Sequence, residues 1–191
     1  MQLAPGPFSG HLTHARIGSV ALSSGDFSPD IRARGVMNPQ LVTIGMILES
    51  SGEVTQWDYD VVPGDVVVFP KSVEQEGRFT GHCRYATITL GEDEIATHMT
   101  GERAALEAPE FWTRIDRFRS PSRSAAVAEV ASRIRQLREG KVPLSLAGID
   151  FFRRSLLEAF LAGVVRQVSE NHEDRDRRGA RLVREVEAMW T

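Results

Sequence analysis

One cysteine, Cys83, stands in 191 residues, so neither a disulfide framework nor a cysteine-built zinc site is available to hold the fold. No apolar run approaches the roughly 18–20 residues of a membrane span, and the best candidate, Leu156 to Val165, is broken by Glu158. The N-terminus, Met-Gln-Leu-Ala-Pro-Gly-Pro, lacks the basic start and apolar stretch of a signal peptide. These absences lead to the expectation of a reducing, cytoplasmic location and no membrane partner. Gly-x-Ser-x-Gly elbows, phosphate-binding loops, dinucleotide fingerprints and His-Glu-x-x-His pairs are missing too.

What is present describes an ordinary globular chain, 41% hydrophobic and 26% charged. At this length roughly two thirds of the unfolded surface can be buried, so a hydrophobic core suffices without staples. The charge is unevenly spread: residues 1–100 carry 6 basic against 12 acidic residues, a net of −6, and residues 101–191 carry 17 against 14, a net of +3. Neither half has the clustered positive footprint of a nucleic-acid surface. The division near residue 100 coincides with a change of pattern.

From Phe8 to about Leu90 the chain reads as short strands separated by turns, seven or eight of them with no helical stretch inserted. Val42, Ile44, Met46 and Leu48 alternate with Thr43, Gly45 and Ile47. Thr55, Trp57, Tyr59 and Val61 alternate with Gln56, Asp58 and Asp60, which predicts one strand with its aromatic face inward. Val62-Pro63-Gly64-Asp65 has the proline and glycine of a type II turn, and Val66 to Pro70 leaves it as a buried strand. Cys83 to Leu90 puts Tyr85, Thr87 and Thr89 on one face and Ala86, Ile88 and Leu90 on the other. Weaker patterns mark His11 to Ile17, Val20 to Ser23, and Asp30 to Val36, where Arg32 and Arg34 oppose Ile31 and Ala33. A jelly-roll barrel closes so many short strands without leaving long bare edges.

Residues 101–191 read as three helices. Ser120-Pro121 offers a cap and first turn for a helix bearing Val127, Val130, Ile134 and Leu137, stopped by Gly140 and Pro143. A second, from about Ala147 to Glu170, carries Phe152, Leu156, Phe160 and Val164 with Leu157 and Leu161 beside them. That arc is wider than one packing surface needs, so those six residues are expected to serve dimerisation with a second copy. A third runs from about Asp174 to Trp190. The fold class is thus mainly β plus α, an N-terminal barrel at 1–100 and a three-helix C-terminal subdomain at 101–191.

Metal and nucleophile chemistry find little support. His11, His14, His82, His98 and His172 are scattered, and the hairpin from Leu41 to Pro70, where metal-binding cupins keep a His-x-His pair, has none. No metal and no cofactor are expected, and Cys83 reads as a small half-buried hydrophobe. Arg175 to Arg184 is interleaved with acids and reads as a solvated helix face. A set of aromatic and hydroxyl side chains on inward faces remains: Trp57, Tyr59, Phe69, Tyr85 and Thr87, with Met46 beside them. Several such groups together predict a small-molecule pocket within the barrel. Arg16, Arg32, Arg34 and Arg84 are expected to face outward, because an unpaired buried arginine is costly.

The order of parts, with Val-Pro-Gly-Asp-Val-Val-Val-Phe-Pro at 62–70 inside an acidic barrel and amphipathic helices after it, resembles the cupin-like N-terminal sensor and dimerisation half of AraC-type transcription regulators. Arg177-Arg178-Gly179-Ala180-Arg181-Leu182-Val183 resembles the segment that enters that family's DNA-binding half. The resemblance implies a small-molecule effector in the barrel, a homodimer, no enzymatic activity, and DNA contact only through helix-turn-helix units absent from this chain. The alternative is a cupin-type metalloenzyme, an isomerase or dioxygenase acting on a small polar metabolite.

Overall fold

The structure, a computed structural model, describes residues 1–3, 7–28, 30–98, 116–119, 123–142, 145–162 and 164. The strands are β1 (Ser9–Ile17), β2 (Val20–Ser28), β3 (Ile31–Val36), β4 (Val42–Ser50), β5 (Val54–Gln56), β6 (Tyr59–Asp60), β7 (Asp65–Phe69), β8 (Glu74–Phe79), β9 (Cys83–Leu90) and β10 (Asp116–Arg119). Helix α1 spans Glu92–His98, α2 spans Arg123–Arg138 and α3 covers residues 146–162. One sheet has the order β1-β2-β9-β4-β7-β10 and the other β3-β8-β5-β6. The non-sequential order is that of a jelly roll, in which neighbours in the sheet are far apart in the chain.

Alternation in the central strands builds two cores from one wall. In β4, β7 and β9, Val42, Ile44, Met46, Leu48, Val66, Val68, Ala86, Ile88 and Leu90 join a cluster with Val130, Ile134, Phe152, Leu156 and Phe160 of the helices. The alternate residues Ile47, Val67, Phe69 and Cys83 join Phe27, Val54, Val61 and Phe79 between the sheets. Strands apolar on both faces are expected only where both faces are covered, and here helices cover one and the second sheet the other.

The Pro-Gly-Asp turn forms as the sequence predicts: Asp65 N–H donates to the Val62 carbonyl at 2.9 Å, and Gly64 takes a φ of 85° that a side chain would strain. A Cβ there would also lie 2.5 Å from Cβ of Arg123, so the turn docks directly on the first residue of α2.

Three expectations need correction, and one strand went unread. The segment Thr55 to Val61 is a hairpin and not one strand: Gln56 pairs with Tyr59 across the two-residue loop Trp57-Asp58, and Trp57 takes a φ of 48°. Val54 and Gln56 therefore face inward in place of Thr55 and Trp57. Strand β8 lacks apolar alternation, since its inward positions hold Gln75, Gly77 and Phe79, and the pattern hid it. The boundary near residue 100 is crossed in both directions: α1 precedes it, while β10 follows it and pairs with β7 of the large sheet. Finally, Phe152, Leu156, Leu157, Phe160, Leu161 and Val164 are 0–4% exposed within the single chain, packed on the outer face of the sheet. The wide apolar arc of α3 is covered by its own chain. The expected third helix, Asp174 to Trp190, and positions 165–170 of the second lie outside the described residues, as do Ser120-Pro121, Arg175 to Arg184 and His172.

Among the described residues no helix is long and apolar enough to cross a membrane.

Candidate ligand cavity between the sheets

The inward-facing residues leave a cavity of about 640 Å³ between the sheets, within the roughly 300–1,000 Å³ of small-molecule sites. Three glycines make room for it by letting a neighbouring side chain lie flat over bare backbone. A Cβ on Gly25 would lie 2.3 Å from the Tyr85 ring, one on Gly45 would lie 3.0 Å from Phe69, and one on Gly77 would lie 2.5 Å from Oε1 of Gln56.

Register sets two ends to this space. Cys83 pairs with Phe27 and Tyr85 with Gly25, which brings Phe27 to 5.3 Å from Phe79 edge-on and to 6.0 Å from Tyr85. One end is therefore aromatic. Further along the same strands, Thr87 pairs with Ser23 and Gly45, and Thr89 with Thr43. The hydroxyls of Thr43 and Thr89 share a hydrogen bond at 3.1 Å, and Nδ1 of His14 lies 2.7 Å from Oγ of Ser23. On the facing sheet Nε2 of Gln56 donates to Oε1 of Gln75 at 3.1 Å. The hydroxyls of Tyr85 and Thr87 have no hydrogen-bond partner among the described residues. Burial pushes the Tyr85 phenol above its ordinary pKa, with Cys83 adding to the effect.

Charges stay at the rim or outside. Arg32 and Arg34 pair with Glu76 at 2.6 Å and Glu74 at 3.1 Å on the outer face of the small sheet, and Arg16 is exposed. Arg84 pairs with Asp26 at 3.1 Å and Glu49 at 3.3 Å. Burial by itself would raise the Asp26 carboxyl, but hydrogen bonds from His82 and Arg84 and their positive charge outweigh it and hold the group below 3.8. A depressed folded pKa gives stability that is present above the unfolded value and lost as pH falls through the folded one. Asp26→Asn is thus expected to flatten the acid limb of stability below about pH 4 while leaving the alkaline limb unchanged, as read by urea midpoints across pH.

Cys83 is fully buried, and burial first, then the Asp26 carboxylate, pushes its thiol up to about 12. At pH 8 only about one thiol in ten thousand is ionised. Iodoacetamide should therefore label Cys83 only in denaturant, which mass spectrometry of the intact chain would read directly.

Of the residues the sequence proposed for the pocket, Phe69, Tyr85 and Thr87 line the cavity. Met46 borders it, but its side chain belongs to the core beneath the helices. Trp57 and Tyr59 do not line it: Trp57 sits at the hairpin turn, with Nε1 donating to the Glu74 carbonyl at 3.1 Å and its ring 5.3 Å from Phe69. Tyr59 lies under the Arg117 guanidinium at 5.6 Å. Sequence reasoning passed over Ser23, Thr43, Gln56, Gln75 and Phe79. Thr43 was signalled by its alternation opposite Val42; Gln56 and Gln75 carried no signal, because their inward aim depends on the hairpin and on β8. No group of three His, Cys, Asp or Glu that could hold a metal occurs among the described residues.

No protein-family profile and no curated protein matches this sequence. Among solved structures, the AraC-like transcriptional activator CuxR superposes over 82% of this chain at 12% identity and a TM-score of 0.53, and this chain spans 56% of that one. The cupin domain of an XRE-family transcriptional regulator from Enterobacter cloacae matches 44% of this chain and 95% of its own, at 10% identity and a TM-score of 0.36. A recombinant oxalate oxidase matches 43% of this chain and 51% of its own, at 15% identity and a TM-score of 0.37. The likeness to the AraC-like activator is one of fold, a jelly roll backed by helices.

Proposed function

We propose that this chain is the effector-sensing and dimerisation region of an AraC-type transcription regulator. A small molecule occupies the cavity, and occupancy controls DNA binding by a C-terminal domain outside this sequence. The observation that carries the reading is the double duty of β7. Val67 and Phe69 line the cavity while Val66 and Val68 pack under the helices. The same strand begins at Asp65, which pairs with Arg123 of α2 at 3.1 Å, and it is bordered by β10. A guest that moves Phe69 therefore acts on the strand that seats the helical layer. Such a guest can bias two states only by its difference in affinity for them, typically about 1–3 kcal/mol. The fold likeness to the AraC-like transcriptional activator CuxR supports the same reading. The homodimer belongs to this proposal, with its surface elsewhere than the buried stripe of α3.

The test is a thermal-shift screen of small metabolites on the purified chain, with Ala33→Trp as a variant that fills the cavity, together with sedimentation and elemental analysis. A stabilising compound whose effect is lost in Ala33→Trp, on a metal-free dimer, is the expected result. Stoichiometric iron, manganese, nickel or zinc, or chemical turnover of the bound compound, would overturn it in favour of a cupin-type enzyme.

A further inference from the structure

The cavity is specific about charge and about polarity along its length. Among the described residues its lining contains no lysine or arginine. The arginines of the small sheet alternate to the outer face, where Arg32 and Arg34 are neutralised by Glu76 and Glu74. The ionisable groups that border it, His11, His14 and Asp26, come from β1 and β2; His14 is exposed, and Asp26 is engaged by His82 and Arg84. An anion seated deep between the sheets would find no lysine or arginine among the described lining residues, and an ammonium would have to compete with His82 and Arg84 for Asp26, so burying either charge is unfavourable. The polar groups that do face inward, on Ser23, Thr43, Thr87, Thr89, Gln56 and Gln75, are neutral and can both donate and accept hydrogen bonds. They lie toward one end, where the Phe69 ring also covers Gly45 beside Thr87, and the Phe27, Phe79 and Tyr85 rings hold the other.

Resting on the reading of this space as a ligand site, we infer that its ligand is an uncharged amphiphile, with a ring at the end that meets Phe27, Phe79 and Tyr85 and hydroxyl or carbonyl groups at the end that meets Thr87 and the glutamines. An organic acid would meet no lysine or arginine among the described lining residues, only the imidazoles of His11 and His14 on β1. A free sugar would turn some hydroxyls to the Phe27 and Phe79 rings, which offer them no partner. Spare capacity fits the polar end: the Gln56–Gln75 bond leaves one amide oxygen and one amide NH2 free to turn to a guest, and the Thr87 hydroxyl is unengaged among the described residues.

Three probes on the intact chain test this: para-biphenylmethanol, its charged counterpart para-biphenylcarboxylate, and D-glucose. Binding is followed by titration calorimetry and by amide shifts of the ¹⁵N-labelled wild-type protein. The expected result is that the alcohol binds at least about tenfold more tightly than the carboxylate at neutral pH. It should shift Gly25, Gly45, Tyr85 and Thr87, with glucose silent. Thr87→Val, which keeps shape and removes the hydroxyl, should weaken the alcohol by about five- to tenfold. If the carboxylate or glucose binds as tightly and shifts the same amides, the ligand class is wrong while the cavity remains a ligand site. If none of the three shifts those amides, both the class and the site reading fall. The wild-type shifts decide the matter even if Thr87→Val folds poorly.

Discussion

Phe152→Ala is expected to destabilise the chain by about 3–5 kcal/mol, because it removes a large side chain that is 0% exposed and leaves a cavity that the sheet and the helices cannot close. The measurement is the urea midpoint, with the slope unchanged. Phe152 also lies beneath the Arg133 guanidinium at 5.2 Å, and Arg133 is held there by Glu129 at 2.6 Å. Truncation thus loosens α2 against α3 as well as emptying the core. The same geometry makes Leu157→Glu a folding mutation: a carboxylate at a fully buried position surrounded by apolar side chains loses its hydration. Its expected outcome is insoluble or unfolded protein. A well-folded monomer from Leu157→Glu would show that α3 faces a second copy and that its placement on the sheet is wrong.

Arg123→Ala is expected to cost about 2–4 kcal/mol. Asp65 is 0% exposed, and removing the partner of a buried charge typically costs about 3–5 kcal/mol. The figure is discounted because the Arg123 side chain is 38% exposed and water screens part of the pair. Oδ2 accepts from Val62 N–H at 3.3 Å, whereas Oδ1 makes no hydrogen bond and relies on the guanidinium alone. The double variant Arg123→Ala with Asp65→Asn should recover much of the loss, since a neutral amide needs no counter-charge. Urea unfolding of the two single variants and the double gives the coupling directly. Additive losses would mean that the pair is incidental and that the turn is held by Gly64 alone.

The fold class was legible because its signals were local. Alternation in 42–48 and 83–90 needs no partner to be read, and Pro63-Gly64 dictates its own turn. The outward aim of Arg32 and Arg34 followed from the cost of burying them. What stayed hidden depended on contacts distant in sequence. Trp57 has no property that announces a left-handed turn residue, so the hairpin read as a continuous strand. Glu74 to Phe79 shows no strand pattern until Gln75 and Phe79 are seen to line the cavity. Met46 illustrates the general difficulty: period two shows that a strand has two faces, but when both are buried it does not say which meets the ligand space. For α3, the wide arc was read as needing a second copy, but the single chain already buries it against the sheet and α2.

The bare backbone at Gly25, Gly45 and Gly77 means that the guest space is bounded by atoms that are not there. A single methyl at Gly45 meets only the edge of Phe69 and a threonine methyl, whereas the same methyl at Gly25 must lift an entire phenol. Related chains could thus retune which guests they admit in graded steps, by one-carbon changes to the floor, without rebuilding a strand or disturbing the helices behind it.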